Sequence, residues 1–476
     1  MAKKASYHEQ FGPAVEEPWV ELCFDSGTLI IKGLKDSDFA RLDTKAFRLS
    51  FDPRVGVHRC PAFVYRSLLG ELLGKGLSVV DSARGYAEFD REDLVERSPR
   101  VHQAEAMQAW LSAGKRGVVV MPTGAGKSHL AVMAIQDVAR SALVVAPTLD
   151  LVEQWQRLLK SHFGEPVGAI GGGTHDPQAL TVTTYDSAAI HMERIGSKWG
   201  LVIFDEVHHL PSDMYRWAAE AAIAPFRLGL TATLERVDGK HAVIHEIIGP
   251  TVYEKNTREL AGDVLADYET RVVEVAFSET DAELYAASRA EYREFVEKEG
   301  IRMGGRHGWQ NFLRATSRSR EGRRAFKAFQ RQKRRALGHE NKLEKVREIL
   351  CEHPDESVLI FANDNATVYA LAELLLAPAL THHTPLAERA EILERFRAGR
   401  YRAVVTSRVL NEGVDVPAAS IAIILSGTGS VREHVQRLGR ILRKEEGKRA
   451  ILYELVTPDS AETFVSQRRR EHDAYR

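Results

Sequence analysis

The stretch GVVVMPTGAGKSHL at residues 117–130 joins a short apolar run to a helical pattern through a turn that contains glycine. Its β-branched run predicts a strand. Gly124 and Gly126 allow the backbone to curl until its N–H groups face an anion at the N-terminus of the following helix. In a loop of the form GxxxxGKS/T the lysine reaches the β- and γ-phosphates and the hydroxyl binds Mg²⁺, roles that fall to Lys127 and Ser128. We therefore predict a strand, a phosphate-binding loop and a helix.

One departure from that loop pattern is Met121, which stands at the position of the first glycine. A glycine-rich turn that binds no ligand is the alternative interpretation. The predicted ATP-binding residues of the loop are Pro122, Thr123, Gly124, Ala125, Gly126, Lys127 and Ser128.

Apolar runs alternate with helical patterns along most of the chain. The predicted strands of the first series are 117–121, 142–147, 180–185, 201–206 and 228–233, with helical patterns that include 129–140 and 149–160. The second series has strands at 357–363, 403–407, 421–427 and 451–456, with helical patterns at 366–376, 386–398 and 431–442. Continuous apolar strands separated by helices are typical of a parallel sheet covered on both faces. The predicted fold class is therefore α/β, with two parallel-sheet domains in tandem.

The first 92 residues have a weaker pattern, with predicted strands at 27–34 and 46–51 and an amphipathic helix at 62–73. A chain of 476 residues favours about three domains. We predict a small N-terminal α/β domain and two parallel-sheet domains, at residues 1–92, 93–262 and 263–476.

An insertion at residues 280–340 is helical in period and strongly basic. Between residues 301 and 335 it contains twelve Lys or Arg residues and one acid, Glu321, with Trp309 and phenylalanines interleaved. Arg323, Arg324 and Lys327 lie at its centre. A solvated helix whose aromatic residues dock it onto a neighbour is the alternative, but the cluster favours contact with a phosphate backbone.

Bulk composition says little about partners, because the net charge of −1 conceals this uneven distribution. The three cysteines, Cys23, Cys60 and Cys351, form no CxxC pair, which favours a reducing compartment. No apolar run reaches the roughly 18 residues of a membrane span, and the first ten residues lack the apolar core of a signal peptide. We therefore expect a cytoplasmic protein.

The stretch FDEVHHLP at residues 204–211 contains four side chains that could bind a metal. It ends an apolar strand of the same predicted sheet as the loop. There Asp205 could hold Mg²⁺ and Glu206 could orient or deprotonate the attacking water. Zinc is the competing interpretation, but adjacent histidines diverge and no further His or Cys stands at ligand spacing. His208 and His209 are therefore expected to link the nucleotide to neighbouring segments or to form local hydrogen bonds.

A family resemblance follows from the order of these motifs. PTGAGKS, DEVHH, TAT (231–233) and QRLGRILR (436–443) occur in the order and spacing of superfamily 2 helicases and translocases. That superfamily replaces the first glycine of the loop freely, so Met121 fits. The resemblance implies two RecA-like domains that use ATP and Mg²⁺.

The resemblance also implies roles for individual residues. Gln103 in RVHQAEAMQAW resembles the glutamine that reads adenine, and three segments look like strand-contacting motifs: 146–155, 183–187 and 404–417. The nucleic-acid contacts that these segments imply are Thr148, Thr184, Thr406 and Arg408. The further nucleotide-site residues implied are Gly413, Asp415, Gln436, Arg440 and Arg443.

The two arginines also carry an independent argument, since Arg440 and Arg443 lie three apart and so share a helix face. Facing a nucleotide on the other domain, they would stabilise the γ-phosphate in the transition state. A pair of surface arginines in weak salt bridges is the alternative.

A finer resemblance is to the XPB-type helicases of archaea and bacteria. It rests on DEVHHLP and on residues 51–69, 228–240 and 466–476. It implies a 3′→5′ DNA motor linked to nucleotide excision repair, with a damage-recognition-like N-terminal domain and a basic "thumb" at 280–340. Where that family carries an Arg-Glu-Asp triplet this chain has Arg236-Val237-Asp238, so Arg236 and Asp238 are expected DNA contacts and Val237 predicts weak strand separation.

The leading hypothesis is an ATP-dependent DNA helicase or translocase that acts on single-stranded or forked DNA as a monomer. One alternative is a double-strand translocase that separates strands little. The other is an ATP-gated DNA clamp that recruits a repair nuclease. RNA is a less favoured substrate, although motors that grip the backbone read no base identity.

Overall fold

The computed structural model describes residues 19–89, 92–164, 166–234, 241–256, 259–260, 267–304, 307–407, 419–425, 449–460 and 462–463. The chain divides into two compact units, of which the first is Met1–Val120 with Ser128–Glu254 and the second is Met121–Lys127 with Lys255–Arg476. Among the described residues, the first unit contains two β-sheets and the second contains one.

The N-terminal sheet consists of short strands that pack on one longer helix. Its elements are β1 (Trp19–Asp25), β2 (Thr28–Lys32), α1 (Asp36–Phe39), β3 (Ser50–Asp52), β4 (Val57–Pro61), a 3₁₀ turn (Ala62–Val64), α2 (Tyr65–Gly74) and β5 (Ser78–Asp81). The strand order is β3-β4-β2-β1-β5, and β1–β5 is its parallel pair. Leu22, Leu29 and Ile31 from the sheet are buried together with Leu68 and Leu72 from α2.

The predicted strand at 46–51 was wrong in its extent, because β3 begins only at Ser50. Arg48 has a φ of 51°, in the left-handed region, which an extended strand cannot include. Its guanidinium instead pairs with Glu220 at 2.7 Å and with Glu246. Tertiary ion pairs therefore accompany a turn where the apolar pattern predicted a strand.

The eight-stranded sheet follows along the chain. Its helices are α3 (Val101–Ser112), α4 (Lys127–Val138), α5 (Leu149–Phe163), α6 (Tyr185–Ile195), α7 (Asp213–Glu220) and α8 (His241–Ile247). Its strands are β6 (Arg116–Val120), β7 (Ala142–Ala146), β8 (Val167–Gly171), β9 (Thr174–Asp176), β10 (Leu180–Thr184), β11 (Leu201–Asp205), β12 (Phe226–Thr231) and β13 (Thr251–Glu254).

The order of that sheet is β13-β6-β12-β11-β7-β10-β8-β9, and every pairing except β8–β9 is parallel. Strands β7, β10 and β11 are buried along their whole length, which explains the apolar runs of β7 and β11 and the β-branched sequence LTVTT of β10. Since the central strands are parallel, their carboxyl ends meet at one edge of the sheet. The predicted site residues Thr148, Thr184, Asp205 and Glu206 lie at or just after those ends.

The N-terminal sheet packs directly against this part of the first unit. Ile223, which precedes β12, belongs to the N-terminal hydrophobic core. At Gly27, which has a φ of +75°, an added Cβ would lie 2.9 Å from the Cβ of Ala221. Glycine is therefore needed there both for the turn and for the close approach of the two layers.

The second unit contains a six-stranded parallel sheet. Its helices are α9 (Glu279–Lys298), α10 (Gly308–Arg318), α11 (Arg320–Gly338), α12 (Glu340–Glu352), α13 (Asn365–Leu375) and α14 (Leu386–Arg397). Its strands are β14 (Asp267–Glu274), β15 (Val358–Phe361), β16 (Ala379–Leu380), β17 (Ala403–Thr406), β18 (Ile421–Ile424) and β19 (Arg449–Val456). The strand order is β14-β19-β18-β15-β17-β16. Two parallel sheets covered by helices confirm the predicted α/β class.

The basic insertion consists of α9, α10 and α11, so its predicted helical character is confirmed. These three helices share a small core of Phe295, Phe312 and Ala325. None of the helices in the described part of the chain is long and apolar enough to cross a membrane.

Candidate nucleotide-binding and nucleic-acid-binding sites

The loop between β6 and α4 has the backbone form that its glycines predict. Gly124 and Gly126 both have a φ of +88°, a conformation that residues with a Cβ rarely adopt. Lys127, the first residue of α4, donates from Nζ to the carbonyl oxygens of Met121 at 2.9 Å and Pro122 at 3.2 Å. The strand, loop and helix are confirmed, whereas the contacts of the loop with ATP stay a prediction.

Asp205 and Glu206 lie where β11 ends. Asp205 is buried, and its Oδ1 accepts a hydrogen bond from the Glu206 N–H at 3.1 Å. Glu206 has φ 49° and ψ 53°, a left-handed conformation that costs a residue with a Cβ about 1–3 kcal/mol. Strain of this kind persists only where surrounding contacts hold it, and it is concentrated at functional sites.

Two side chains from other elements provide such contacts. The indole Nε1–H of Trp155 in α5 donates to Asp205 Oδ2 at 2.9 Å. The hydroxyl of Tyr185 in α6 donates to the carbonyl oxygen of Asp205 at 2.9 Å and lies 3.5 Å from that of Glu206. Both residues lie inside the predicted strand-contacting segments, but no pattern in the sequence indicated their contact with Asp205.

His208 connects the end of β11 with the end of β12. It is almost fully buried, and its Nδ1 lies 3.0 Å from Thr231 Oγ1 and 3.4 Å from Glu206 Oε2. The Thr231 hydroxyl donates to the Thr233 carbonyl oxygen at 2.8 Å, so we infer that His208 Nδ1 carries the hydrogen. A local hydrogen bond is thus one role of His208. Nowhere in the described part of the chain do three or more His, Cys, Asp or Glu side chains form a group that could hold a metal ion.

Gln103 and Ser128 each lie near the start of a helix. Gln103 is fully buried in α3, and its Oε1 accepts from the Arg100 N–H at 2.9 Å, which caps that helix. Ser128 lies in the first turn of α4. Their contacts with adenine and with Mg²⁺ stay predictions.

Thr148 and Thr184 cap two neighbouring helices at the same edge of the sheet. Thr148 Oγ1 accepts from the Leu151 N–H at 3.3 Å at the start of α5, and Thr184 Oγ1 accepts from the Ser187 N–H at 3.1 Å at the start of α6. The preceding strands, β7 and β10, are adjacent and parallel. Two helix N-termini therefore lie side by side, an arrangement that suits an anion such as a backbone phosphate.

The cations of α9 and α11 include a group that is paired with acids and a group that is not. Three basic residues are paired with acids: Lys298 at the end of α9 with Glu321, and Arg331 and Arg335 of α11 with Glu291 and Asp281. Within the described residues, an exposed stripe of α11 has no acidic partner: Arg320, Arg323, Arg324, Lys327 and Arg334. Spacings of three, four and seven residues place this stripe on one helix face, along about 20 Å of the axis.

Thr406, a predicted nucleic-acid contact, is the last residue of β17. Thr406 is fully buried, and its hydroxyl donates to the Leu380 carbonyl oxygen at 3.2 Å. A nucleic-acid contact at this position would therefore use the backbone, and it stays a prediction. Eight predicted site residues and Val237 lie outside the described residues; the eight are Arg236, Asp238, Arg408, Gly413, Asp415, Gln436, Arg440 and Arg443.

Three family models match the chain. They are the type III restriction enzyme res subunit at residues 96–236, the helicase conserved C-terminal domain at 341–445, and the xeroderma pigmentosum group B helicase damage recognition domain at 22–83. In structure, the helicase domain of Pyrococcus furiosus Hef covers 78% of this chain with 98% of its own, at a TM-score of 0.50 and 18% identity. That likeness supports the helicase fold alone.

Relatives extend over nearly the whole chain. A protein of Sulfurisphaera tokodaii named DNA 3′-5′ translocase XPB2 is 38% identical over 90% of this chain and 97% of its own length. One of Mycobacterium tuberculosis named DNA 3′-5′ helicase XPB is 30% identical over 75% of this chain and 61% of its own. Since the first match runs almost end to end and the damage-recognition model matches the N-terminal sheet, the chain belongs to the XPB family of superfamily 2 helicases and translocases.

Proposed function

We propose that this chain converts ATP hydrolysis into 3′→5′ movement along DNA during DNA repair. The proposal rests above all on one edge of the eight-stranded sheet, which carries both sets of predicted site residues. Asp205 ends β11 beside Thr231 at the end of β12, and Thr148 and Thr184 stand at the ends of β7 and β10. Ligands of open parallel sheets bind at the carboxyl ends of the strands. A nucleotide and a DNA strand bound there would both contact residues that are held at the same edge of one sheet.

For ATP, we propose that Lys127 and the N–H groups of 122–126 bind the phosphates and that Gln103 contacts adenine. The Ser128 hydroxyl and the Asp205 carboxylate would hold Mg²⁺, since both supply the oxygen donors that this hard cation prefers. Bound Mg²⁺ neutralises charge on the phosphates. The Glu206 carboxylate orients the attacking water and accepts its proton, and the left-handed backbone at this residue sets the direction of its side chain.

For DNA, the capped helix starts at Thr148 and Thr184 would bind backbone phosphates of one strand. The exposed stripe of α11, which includes Arg323, Arg324 and Lys327, would bind further phosphates. A length of about 20 Å corresponds to about six nucleotide steps at 3.4 Å. Arg236 and Asp238 would add contacts after the TAT segment, and Arg408 would add one two residues after Thr406 in the sequence; these three proposals rest on the family resemblance.

Further catalytic and nucleotide-binding roles are proposed for residues between 413 and 443. On the family resemblance we assign γ-phosphate stabilisation to Arg440 and Arg443 and a supporting contact to Gln436, in the same segment. Gly413 and Asp415 are assigned to nucleotide binding. On this proposal the damage-recognition-like domain is 1–92, and the two RecA-like domains are 93–262 and 263–476, with the thumb at 280–340.

The cellular setting is also a proposal. We propose that the chain acts as a monomer in the cytoplasm, on single-stranded or forked DNA, together with a repair nuclease as partner. Movement is favoured over a static clamp, because the relatives reported above are named translocase or helicase.

Displacement of streptavidin from biotinylated DNA tests movement, and a forked duplex tests strand separation. We expect ATP-dependent displacement of streptavidin from the 5′ end of single-stranded DNA and DNA-stimulated ATPase, with weaker unwinding of the fork. Lys127→Ala is the control, since it should abolish all three. ATP hydrolysis that is stimulated by DNA without any displacement would support the clamp instead, and displacement from the 3′ end alone would contradict the polarity.

A further inference from the structure

Two hydrogen bonds converge on the Asp205–Glu206 turn, and each comes from a helix that starts at a proposed DNA contact. Trp155 of α5 binds the Asp205 carboxylate, and Tyr185 of α6 binds the carbonyl oxygens on either side of the Glu206 N–H. Thr148 caps α5 and Thr184 caps α6. The DNA-facing ends of both helices are thus connected to the turn that carries the catalytic acids.

In both helices the residue at the helix start and the aromatic hydrogen-bond donor are close together along the chain. Trp155 is seven residues after Thr148, about two helical turns or roughly 10 Å along α5. Tyr185 is the first residue of α6 and follows Thr184 directly. No loop interrupts either path, so a displacement of a helix start is carried by rigid structure to the hydrogen bond. Both aromatic side chains are 2% exposed, so bulk water has little access to either hydrogen bond.

The two bonds act on different parts of the turn. A hydrogen bond to a carboxylate is stronger than one between neutral groups, so Trp155 fixes the direction of the Asp205 Oδ2 lone pairs. Tyr185 binds backbone carbonyl oxygens beside the strained Glu206, and so favours the left-handed conformation that aims its carboxylate. One bond therefore orients the proposed metal ligand, and the other orients the proposed base.

We propose that Trp155 and Tyr185 are positioning residues that couple DNA occupancy of the α5 and α6 starts to metal and nucleotide binding at Asp205 and Glu206. DNA that draws the two helix starts together tightens both hydrogen bonds. The resulting turn binds the metal–nucleotide complex more strongly. The inference rests on the proposed role of Asp205 as a metal ligand and on the proposed DNA contacts at Thr148 and Thr184.

The test compares Trp155→Phe and Tyr185→Phe with the full-length wild type. Each change removes one donor and keeps an aromatic ring. Trp199→Phe is the matched control, because its buried indole Nε1–H donates instead to the Gln178 carbonyl oxygen at 3.2 Å. Binding of Mn²⁺ with a non-hydrolysable ATP analogue is measured by electron paramagnetic resonance, with and without single-stranded DNA. This readout does not depend on turnover.

In the wild type we expect DNA to tighten Mn²⁺-nucleotide binding by a factor within the range of about 5–150 that is typical of coupled sites. Trp155→Phe should weaken Mn²⁺ binding on the order of tenfold, as loss of a group that orients a metal ligand does. Both variants should lower the DNA-dependent factor towards 1, and Trp199→Phe should leave it unchanged. A merely structural role predicts equal losses of thermal stability in the two tryptophan variants and the wild-type coupling factor in both.

Asp205→Asn separates this inference from the function on which it rests. If Asp205→Asn leaves Mn²⁺ binding unchanged, Asp205 is not a metal ligand and the proposed site is overturned. If Asp205→Asn abolishes Mn²⁺ binding while both aromatic variants keep the wild-type coupling factor, the site stands and the coupling role is overturned. A wild type in which DNA does not alter Mn²⁺-nucleotide affinity also overturns it.

Discussion

Nδ1 of His208 lies 3.0 Å from the hydroxyl oxygen of Thr231. A buried hydrogen bond therefore joins the segment that follows β11 to the last residue of β12. The same nitrogen lies 3.4 Å from Glu206 Oε2. The imidazole therefore lies between the proposed catalytic base and the strand that leads into the TAT segment. A substitution at Thr231 should therefore affect Glu206, and a substitution at Glu206 should affect Thr231.

A double-mutant cycle measures that link. We expect His208→Ala and Thr231→Val each to slow DNA-stimulated ATP hydrolysis by roughly tenfold, and the double variant to be little slower than either. This corresponds to a coupling energy of about 1 kcal/mol or more, within the range for residues in contact. Thr181→Val, which removes a buried hydroxyl from β10 that donates to the Gln178 carbonyl oxygen at 2.7 Å, is the control. Additive losses in the cycle would show that the two residues act independently.

Substitutions of Lys127 and of Glu206 should impair different steps of the ATPase reaction. Lys127→Ala should abolish turnover and leave DNA binding nearly intact, because the lysine ammonium lies against carbonyl oxygens of the phosphate loop and the proposed DNA contacts lie elsewhere. Glu206→Gln should bind ATP and hydrolyse it more slowly by on the order of hundredfold, since the amide cannot accept a proton from water. Turnover by Glu206→Gln near the wild-type rate would remove Glu206 from the role of base.

Metal removal distinguishes the two interpretations of the DEVHH stretch. We expect EDTA to stop hydrolysis and added Mg²⁺ to restore it, because Ser128 and Asp205 supply oxygen donors. A zinc-selective chelator should leave the rate unchanged. Elemental analysis is the direct measurement: stoichiometric zinc that disappears in a His208→Ala, His209→Ala double variant would establish the zinc interpretation in place of ours.

The stripe on α11 should dominate the salt dependence of DNA binding. Replacing Arg323, Arg324 and Lys327 by glutamine should weaken binding equally for all sequences. It should also flatten the plot of log affinity against log salt concentration, by up to about 0.7–0.9 for each phosphate that the protein no longer neutralises.

A charge-matched control for the stripe is available in the same insertion. Replacing Lys298, Arg331 and Arg335 by glutamine removes three positive charges that are already paired with acids. Binding measured by fluorescence anisotropy over a range of salt should change much less in this variant. Equal slopes for the two triple variants would mean that net charge, and not the stripe, attracts the DNA.

The sequence predicted the parts of this fold that have a strong period. Strands β7 and β11 are buried on both faces, so their apolar runs predicted them directly. The glycines of the loop predicted its backbone conformation, because glycine readily adopts a positive φ. Trp155 and Tyr185 could not be assigned in this way, because their hydrogen bonds join residues 50 and 20 positions apart. The turn at Arg48 was missed for the same reason, since its ion pair with Glu220 spans 172 positions. Long-range polar contacts leave no periodic signal in the chain.

His339 should make the stability of the second unit fall as pH falls. It lies between α11 and α12 at 3% exposure, where burial and the nearby Lys342 ammonium lower the pKa of its imidazole to about 4, although Asp281 acts in the opposite direction. The ordinary value is about 6.5. Below that pH the unfolded chain takes up a proton that the folded chain does not, so stability that is complete above about pH 6.5 is lost progressively towards pH 4.

The expected loss from His339 is roughly 2 kcal/mol at about pH 5. His339→Gln should remove this pH dependence, because the amide can still donate to Thr457 Oγ1, which the imidazole Nε2 contacts at 3.1 Å, and it does not titrate. Hydrogen exchange in peptides from α12, compared between variant and wild type at about pH 7.5 and about pH 5, gives the opening free energies. His382→Gln, which changes an exposed histidine, is the control. An equal fall in wild type and His339→Gln between the two pH values would assign the acid sensitivity of α12 to other groups.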